Sequence, residues 1–319
     1  MLIDSYGRTI EYLRISVTDR CNFKCIYCQS QRPWKQLPPK EILSFEEIEE
    51  IVKVSSQLGV KRIRLTGGEP LLRKNIEILV EKLAKIPGIE DLSLTTNGFF
   101  LEEKALILKK VGLKRINISL DTLEREKFKK ITGKDELNRI LRGIEVALEV
   151  GFNPVKINVV VIRGFNHEEI IDLAKLTLEK PLEVRFIEFM PLGKNSLWNE
   201  SKVFYVTEIR KILESFKKLE PVFSVGGGPA KSYKWKGSLG KIGLISPISE
   251  HICRYCNRMR ITADGKLRPC LFSDFEIDLK AILRKRKGSL REAFKLALKM
   301  KPEKGEQNST IKPMKLIGG

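Results

Sequence analysis

The sequence predicts an α/β protein with a mainly parallel sheet and a smaller unit at its C-terminal end. Two observations support this fold class. Between residues 11 and 190, short runs rich in β-branched residues alternate with amphipathic helical patterns, as they do in consecutive β/α units. After Pro191 the alternation stops, and shorter segments separated by glycines follow. We therefore expect a first domain at residues 1–190 and a second region at residues 191–319.

The first domain contains strands and helices in regular alternation. The predicted strands are residues 11–17, 62–66, 92–96, 115–120, 156–162 and 183–189. The predicted helices are residues 44–57, 74–85, 102–110, 137–149 and 168–178. Ser44 and Glu47 have the spacing of a capping box at the start of the first helix. This alternation predicts a parallel sheet, but periodicity alone leaves open whether the sheet is doubly wound or closed as a barrel.

The second region has a different pattern. Its predicted segments are a helix at residues 207–216, a Gly/Pro-rich stretch at 226–229, and short segments at 232–235, 241–245 and 259–270. The last segment contains an Asp-Gly pair at 264–265, which predicts a two-residue hairpin turn. Pairing outward from this turn places Ala263 opposite Lys266 and Met259 opposite Cys270.

The composition is that of a folded protein with an anionic partner. The 319 residues are 42% hydrophobic and 31% charged, with a net charge of +19. No apolar run approaches the ~18 residues of a membrane span, and the N-terminus lacks the order of a signal peptide, so we expect a soluble, cytoplasmic protein. The excess charge suggests a nucleic acid, a nucleotide or another phosphate as partner. A solvated basic surface is the alternative.

The first cysteine triplet follows the first predicted strand. Cys21, Cys25 and Cys28 have the spacing C-x3-C-x2-C. Three thiolates on one short loop can hold three irons of a cubane cluster and leave the fourth iron open to a substrate or cofactor. A zinc site is the alternative, but it would need a fourth ligand, and neither of the two histidines, His167 and His251, is nearby in sequence.

The second triplet is Cys253, Cys256 and Cys270. The predicted hairpin returns Cys270 towards Cys256, so the three sulfurs can converge. His251 lies two residues before Cys253, so a Cys3His zinc site is an alternative at this triplet. Because the chain also carries the first triplet, we favour a second iron–sulfur cluster.

Basic and small polar residues complete the candidate site. Arg258 and Arg260 share one face of a strand, and two guanidinium groups on one face can bind phosphate oxygens. Further cations on the strands of the first domain and small polar groups at its strand ends would make one cationic mouth suited to a triphosphate; these residues are Arg14, Arg64, Lys156, Thr95, Ser119 and Asp121. For each cation, a surface charge or a structural ion pair is the alternative.

These motifs together resemble a known family. The first triplet, with Tyr27 before its last cysteine and Gly67-Gly68-Glu69-Pro70 after the second strand, is typical of the radical S-adenosylmethionine superfamily. The joint order of both triplets, the Arg258 and Arg260 strand, and the terminal Gly318-Gly319 resembles the molybdenum cofactor biosynthesis protein A family, the GTP 3′,8-cyclases. The resemblance covers nearly the whole chain.

The resemblance implies both a fold and a reaction. The fold is an incomplete triosephosphate-isomerase-type (β/α)6 barrel with a smaller C-terminal α+β region that carries a second iron–sulfur cluster. The reaction belongs to a radical S-adenosylmethionine lyase: a 5′-deoxyadenosyl radical takes hydrogen from C3′ of GTP, and C3′ attacks C8. The implied product is (8S)-3′,8-cyclo-7,8-dihydroguanosine 5′-triphosphate, in the first step of molybdenum cofactor biosynthesis.

The resemblance also implies roles for individual residues. Two [4Fe-4S] clusters would be held by Cys21, Cys25 and Cys28 and by Cys253, Cys256 and Cys270. S-adenosylmethionine would contact Tyr27, Gly68, Ser119 and Met190. GTP would contact Arg14, Arg64, Thr95, Lys156, Arg258 and Arg260. The groups implied to help the chemistry are Arg258, Arg260, Gly318 and Gly319.

The implied partners are a reducing electron donor and cyclic pyranopterin monophosphate synthase, which would receive the product. We expect no membrane partner and no nucleic acid, and a homodimer is left open. The nearest rival is another radical S-adenosylmethionine enzyme with an auxiliary cluster, acting on a peptide or a tRNA. A rival of a different class is a non-catalytic zinc protein that binds nucleic acid. The role of the basic run at residues 284–287 is left open, and the alternatives are attraction of the anionic substrate and a solvated surface.

Overall fold

The computed structural model of the chain describes residues 1–28, 35–192, 197–223, 228–250, 252–286, 288–305, 310, 312 and 314–318. Its strands are β1 (Tyr12–Ser16), β2 (Arg62–Thr66), β3 (Asp91–Thr96), β4 (Arg115–Ser119), β5 (Val155–Val161), β6 (Leu182–Glu188), β7 (Leu219–Pro221), β8 (Lys231–Trp235), β9 (Lys241–Ile245), β10 (Arg258–Ile261), β11 (Lys266–Arg268) and β12 (Ile277–Asp278).

The described residues also form ten α-helices. They are α1 (Phe45–Gln57), α2 (Ile76–Ala84), α3 (Leu101–Lys110), α4 (Arg125–Thr132), α5 (Leu137–Glu149), α6 (Ile170–Glu179), α7 (Val206–Phe216), α8 (Leu279–Lys285), α9 (Leu290–Lys299) and α10 (Met314–Ile317). Among the helices of the described segments, none combines the length and the apolar character that crossing a bilayer requires.

One sheet contains all twelve strands, in the order β12-β11-β10-β1-β2-β3-β4-β5-β6-β9-β8-β7. Strands β1 to β6 are neighbours in sequence order and all pair in parallel. Sequential parallel order is that of a barrel, whereas a doubly wound sheet reverses its order near the middle. The outer strands β7 and β12 end the sheet, so the barrel is incomplete, and the expected fold class is confirmed.

Strands from the C-terminal region extend both edges of the barrel. Strand β10 pairs in parallel with β1, and β9 pairs in parallel with β6. The remaining strands of this region continue the sheet by antiparallel pairing, β11 with β10, β12 with β11, β8 with β9 and β7 with β8. Both predicted domains therefore contribute to one sheet, and the division at residue 190 stays a prediction. Gly226 and Gly227 of the predicted Gly/Pro-rich stretch lie outside the described residues.

Side-chain alternation along the strands separates an apolar shell from a polar interior. Leu13 and Ile15 of β1 are fully buried in the apolar core, together with Ile48 and Ile51 of α1. Arg14, between them on β1, lines the cavity inside the barrel. Successive residues of a strand point to opposite faces, so the outward face holds the helices and the inward face is available for a site.

Helix α4 was not predicted from the sequence. Its eight residues contain only two large apolar side chains, Phe128 and Ile131, and both are buried. No side chain caps its first turn, so the usual start signal is missing. The other strands and helices of the first domain lie within two residues of their predicted bounds, and α5 matches its prediction.

The predicted register of the second-region hairpin is wrong by one residue. Arg260 pairs with Arg268 and Ile261 with Leu267, so Ala263 does not face Lys266 and Met259 does not face Cys270. The turn contains three residues, 263–265, instead of two. Thr262 stabilises this wider turn because its Oγ1 accepts a hydrogen bond of 2.8 Å from the Lys266 N–H, and Gly265 takes the positive φ of +81° at the last turn position.

The cap of α1 gives a first testable prediction. Ser44 Oγ accepts from the Glu47 N–H at 3.1 Å, and the Glu47 carboxylate accepts from the Ser44 N–H at 2.7 Å. We expect Ser44→Ala to lower the free energy of unfolding by about 1 kcal/mol, measured by urea denaturation followed by circular dichroism. Ser44→Asp keeps an acceptor and is the matched control. Equal losses in both variants would contradict the capping role.

Candidate active site

One cavity of about 790 Å³ runs along the inside of the barrel. It is lined by nearly every residue singled out from the sequence: all six cysteines and Arg14, Tyr27, Arg64, Gly68, Thr95, Ser119, Asp121, Lys156, Met190, Arg258 and Arg260. The two cysteine triplets, which lie near opposite ends of the sequence, therefore face one space. Gly318 lies beside this space, in contact with Arg260. Gly319 is outside the described residues.

The first triplet is held on a loop that is fastened to helix α4. The N–H groups of Lys24 and Ile26 donate to the carbonyls of Thr132 and Ile131, at 2.8 and 2.9 Å. Burial raises the pKa of the Cys25 thiol well above its usual range, and the neighbouring Cys28 raises it further. A thiolate here therefore requires a bound cation, and soft thiolate donors suit iron.

The two triplets offer thiol groups, which are the donors that an iron–sulfur cluster takes. All six cysteines are thiols and not disulfide partners. Within the described residues, no three Cys, His, Asp or Glu side chains are close enough together to hold one metal ion. The cysteines of both triplets line the cavity. His251, the fourth ligand of the zinc alternative, lies outside the described residues.

Tyr27 connects the first triplet to the end of strand β4. Its hydroxyl donates to Asp121 Oδ2 at 2.5 Å, and Asp121 Oδ1 accepts from the Val160 N–H at 2.7 Å. Burial raises the pKa of Asp121 to about 6, although the hydrogen bonds from Tyr27 and Val160 oppose this increase. The cysteine loop and two strand ends are thus joined by one buried carboxyl group.

The Gly-Gly-Glu-Pro turn packs directly against the first triplet loop. A Cβ at Gly68 would overlap the Arg20 carbonyl, so this close approach of two backbones requires glycine. The Gly68 and Glu69 N–H groups donate to the carbonyls of Thr18 and Arg20, both at 2.7 Å. The turn therefore presents its remaining backbone groups to the cavity at a fixed distance from the cysteine loop.

The Glu69 carboxylate holds the end of strand β3. It accepts from Thr96 Oγ1 and the Asn97 N–H, both at 2.7 Å, and from the Leu71 N–H at 2.9 Å. A carboxylate has about four acceptor positions, so one remains for a ligand such as an ammonium group. Burial raises the pKa of Glu69 to about 7, against the lowering effect of these three hydrogen bonds.

The second triplet is held by the N-terminal segment and by the segment after α9. Arg8 Nη1 donates to the Cys253 carbonyl at 2.8 Å, and the Gly305 N–H donates to Cys253 Sγ at 3.5 Å. Burial alone would raise the pKa of the Cys256 thiol, but the charges of Arg258 and Lys301 outweigh it and lower this pKa to about 6. Cys256 therefore favours the thiolate form, as a metal ligand requires.

Three guanidinium groups meet on neighbouring strands. The parallel register places Arg14 of β1 opposite Arg260 of β10 on one side and Arg64 of β2 on the other. Burial and the charges of Arg260 and Arg64 hold the pKa of Arg14 well below its usual range. Within the described chain, Arg14 Nε is buried without a hydrogen-bond partner. This position needs an anion to balance it.

On the opposite side of the barrel interior, the cations have acidic partners. Lys156 forms an ion pair of 3.0 Å with Glu183, which also accepts from Arg185 Nε at 2.6 Å. Burial, followed by the charge of Arg185, lowers the pKa of Lys156 to about 8. Glu183 and Arg185 were missed in the sequence analysis. Their alternation on a strand flanked by buried apolar residues was the available signal.

The C-terminal tail enters the barrel. Leu316 and Ile317 of α10 are buried, and the Gly318 carbonyl accepts a hydrogen bond from Arg260 Nη1. Gly318 has a positive φ of +78°, and a Cβ there would collide with Thr66 Oγ1 and lie 3.3 Å from Ser16 Cβ. The tail therefore lies against the carboxyl ends of β1 and β2, where only glycine fits.

Comparison with known proteins identifies the class to which this arrangement belongs. The family profile described as the radical SAM superfamily matches residues 15–177, and the profile described as Molybdenum Cofactor Synthesis C matches residues 182–307. The crystal structure of Streptococcus suis SuiB bound to S-adenosylmethionine is similar, with a TM-score of 0.62 and 16% identity. The similarity covers 90% of this chain and 68% of that one. At this identity the similarity concerns the fold alone.

Curated relatives narrow the class to one family. GTP 3′,8-cyclase of Pelotomaculum thermopropionicum is 48% identical over 94% of both chains. GTP 3′,8-cyclase of Alkaliphilus metalliredigens is 42% identical over 99% of both chains. The chain belongs to the GTP 3′,8-cyclase family of radical S-adenosylmethionine enzymes. The resemblance stated from the sequence is confirmed, and with it one [4Fe-4S] cluster and S-adenosylmethionine as cofactors.

The unusual environment of Glu69 gives a prediction on pH dependence. Its pKa is higher in the folded protein than in the unfolded chain, so the folded state holds the proton more tightly and stability decreases as the pH rises from about 5 to about 7. We expect wild type to lose up to roughly 3 kcal/mol relative to Glu69→Gln over this range, measured by denaturation at several pH values. A difference between the two proteins that stays constant from pH 5 to pH 8 would contradict this assignment.

Proposed function

We propose that the chain performs the family's reaction, the conversion of GTP to (8S)-3′,8-cyclo-7,8-dihydroguanosine 5′-triphosphate, in the cavity between its two cysteine triplets. The observation that carries this proposal is the unbalanced positive charge of the half-buried Arg14 and Arg64 and the buried Arg260, on β1, β2 and β10. Burying like charges together is costly unless an anion enters. A triphosphate supplies that anion, whereas a neutral peptide segment does not.

The cavity divides into two ends with different chemistry. At the end lined by Cys21, Cys25 and Cys28, the first cluster and S-adenosylmethionine would bind against Tyr27, Gly68, Ser119 and Met190. At the other end, Cys253, Cys256 and Cys270 would hold a second [4Fe-4S] cluster facing the guanine base. GTP would lie between these ends, in contact with Arg14, Arg64, Thr95, Lys156, Arg258 and Arg260.

The protein itself contributes orientation, charge and exclusion of water. Held by Cys21, Cys25 and Cys28, the first cluster would, together with S-adenosylmethionine, supply the radical chemistry that the reaction needs at C3′ of GTP. The guanidinium groups of Arg258 and Arg260 would hold the phosphates and so fix the position of the ribose. The docked tail, with Gly318 against Arg260, would close the cavity beside β1 and β2 and keep water out.

Several predictions of the sequence analysis remain part of this proposal. They include the second cluster, a reducing electron donor, and cyclic pyranopterin monophosphate synthase as the enzyme that receives the product. The cytoplasmic location also stays a prediction, and the homodimer stays open.

The decisive experiment tests the substrate. The protein is reconstituted without oxygen and reduced with dithionite, and 5′-deoxyadenosine is measured with GTP, with ATP and with no nucleotide. We expect about eight irons per chain and turnover that depends on GTP. Bound iron with a turnover that does not depend on GTP would exclude GTP as the substrate, and a peptide or a tRNA would be tested next. Zinc in place of iron, with no turnover of S-adenosylmethionine, would exclude the radical mechanism.

The same assay tests the contact between Lys156 and GTP. We expect Lys156→Met to raise KM for GTP about 10- to 100-fold, because a charged hydrogen bond contributes roughly 1.5–3 kcal/mol. Lys241→Met removes an exposed lysine of β9 and is the matched control. A KM unchanged in both variants would remove Lys156 from the binding site.

The close fit of Gly318 gives a prediction for the tail. We expect Gly318→Ala to lower formation of the cyclised product about tenfold, because the positive φ and the collision with Thr66 disfavour docking by roughly 1–3 kcal/mol. Gly237→Ala is the control, since Gly237 also has a positive φ, of +82°, but nothing lies within 4 Å of its Cβ position. Iron content is measured in both variants. Full product formation by Gly318→Ala would show that the docked tail is dispensable.

A further inference from the structure

Lys301 is a buried cation that the proposed reaction does not use. It follows helix α9, and only 3% of its surface is exposed. Within the described chain, no carboxylate lies within ion-pair distance of its ammonium group, in contrast to Arg8 and Lys156, which pair with Asp4 and Glu183. A buried ammonium without an anionic partner is costly, so an anion belongs beside it.

The hydrogen bonds of Lys301 indicate that this anion is the thiolate of Cys256. Its Nζ donates to the Arg258 carbonyl at 2.8 Å and to the Pro269 carbonyl at 2.7 Å. It also lies 3.7 Å from Cys256 Sγ, as a third hydrogen-bond contact. Arg258 is two residues after Cys256, and Pro269 directly precedes Cys270. One ammonium group therefore joins the two segments that carry these cysteines.

The backbone around Lys301 is itself fixed. The Lys301 N–H donates to the Leu298 carbonyl at 3.1 Å, and Leu298 is buried in the core. Arg8 Nη1 and Nη2 donate to the carbonyls of Glu303 and Pro302, at 2.8 and 2.7 Å. Because both sides of Lys301 are held, its side chain can act as a rigid connection and not as an adaptable one.

We infer that Lys301 is a positioning residue of the second triplet: it fixes the segments of Cys256 and Cys270, and its charge raises the reduction potential of the cluster that they hold. The inference rests on the proposed second cluster. A positive charge and a hydrogen bond to a ligand sulfur both stabilise the reduced form of an iron–sulfur cluster, which carries one more electron.

The test uses the reconstituted full chain and three substitutions. Lys301→Met removes the charge and all donors, and we expect it to lose the second cluster, so that iron falls from about eight to about four per chain. Lys301→Gln keeps donors without charge, and we expect it to retain iron with a lower potential of the second cluster. Lys304→Met makes the same change at an exposed lysine of the same segment and should behave as wild type.

The potentials are measured by redox titration followed by electron paramagnetic resonance. For this titration alone, each protein also carries Cys21→Ala, Cys25→Ala and Cys28→Ala, so that the second cluster alone is observed, whereas iron content is measured with the first triplet intact. Full iron content in Lys301→Met together with an unchanged potential in Lys301→Gln would overturn the inference. If Lys301→Met also loses the first cluster, the fold has failed, and the potential of Lys301→Gln decides alone.

The experiment separates this inference from the proposed function. If wild type holds zinc at the second triplet, the proposed second cluster is wrong. The positioning role of Lys301 is then tested by zinc retention: loss of zinc from Lys301→Met, but not from Lys304→Met, would support it. Equal zinc content in both variants would overturn it.

Discussion

The structure depends on how the barrel interior tolerates positive charge. On the side of β3 to β6, each cation has an acidic partner: Arg115 forms an ion pair with Asp91, and Lys156 and Arg185 share Glu183. On the side of β10, β1 and β2, the register brings guanidinium groups together without such partners among the described residues. This asymmetry lowers the stability of the empty barrel and locates the charge of an anionic substrate on one side of it.

The topology explains how two distant triplets reach one cavity. Strand β10 occupies the barrel edge beside β1 and runs parallel to it. The second triplet, which flanks β10 and β11, therefore lies beside β1, and the first triplet follows the carboxyl end of β1. Contacts from both ends of the chain fix this arrangement, because Arg8 bonds the Cys253 carbonyl and Lys301 bonds the hairpin. The second triplet is thus held in place by contacts from the N-terminal segment and from the segment after α9.

Local signals in the sequence predicted the β/α units of the barrel well. They could not predict contacts between residues that are distant in sequence. Helix α5 has strong periodicity and matches its prediction, and the capping box at Ser44 is present. Helix α4 was missed because its stability comes from burying Phe128 against other elements and not from propensity. The hairpin register depended on the Thr262 side chain, which a turn dipeptide does not reveal. The side-chain contacts of Lys301 are with Arg258, Pro269 and Cys256, which are distant in sequence, so no local pattern indicates its role.

Arg260 links the tail to the remainder of the site. Its guanidinium group has five N–H donors, and the Gly318 carbonyl takes one of them. Tail docking therefore leaves donors for a phosphate. Burial and the neighbouring Arg258 lower the pKa of Arg260 to about 10, so it stays charged at neutral pH, and a carbonyl oxygen neutralises little of that charge. An anion and the Gly318 carbonyl can therefore accept hydrogen bonds from Arg260 at the same time. The position of the tail is thus coupled to the charge of the site through Arg260.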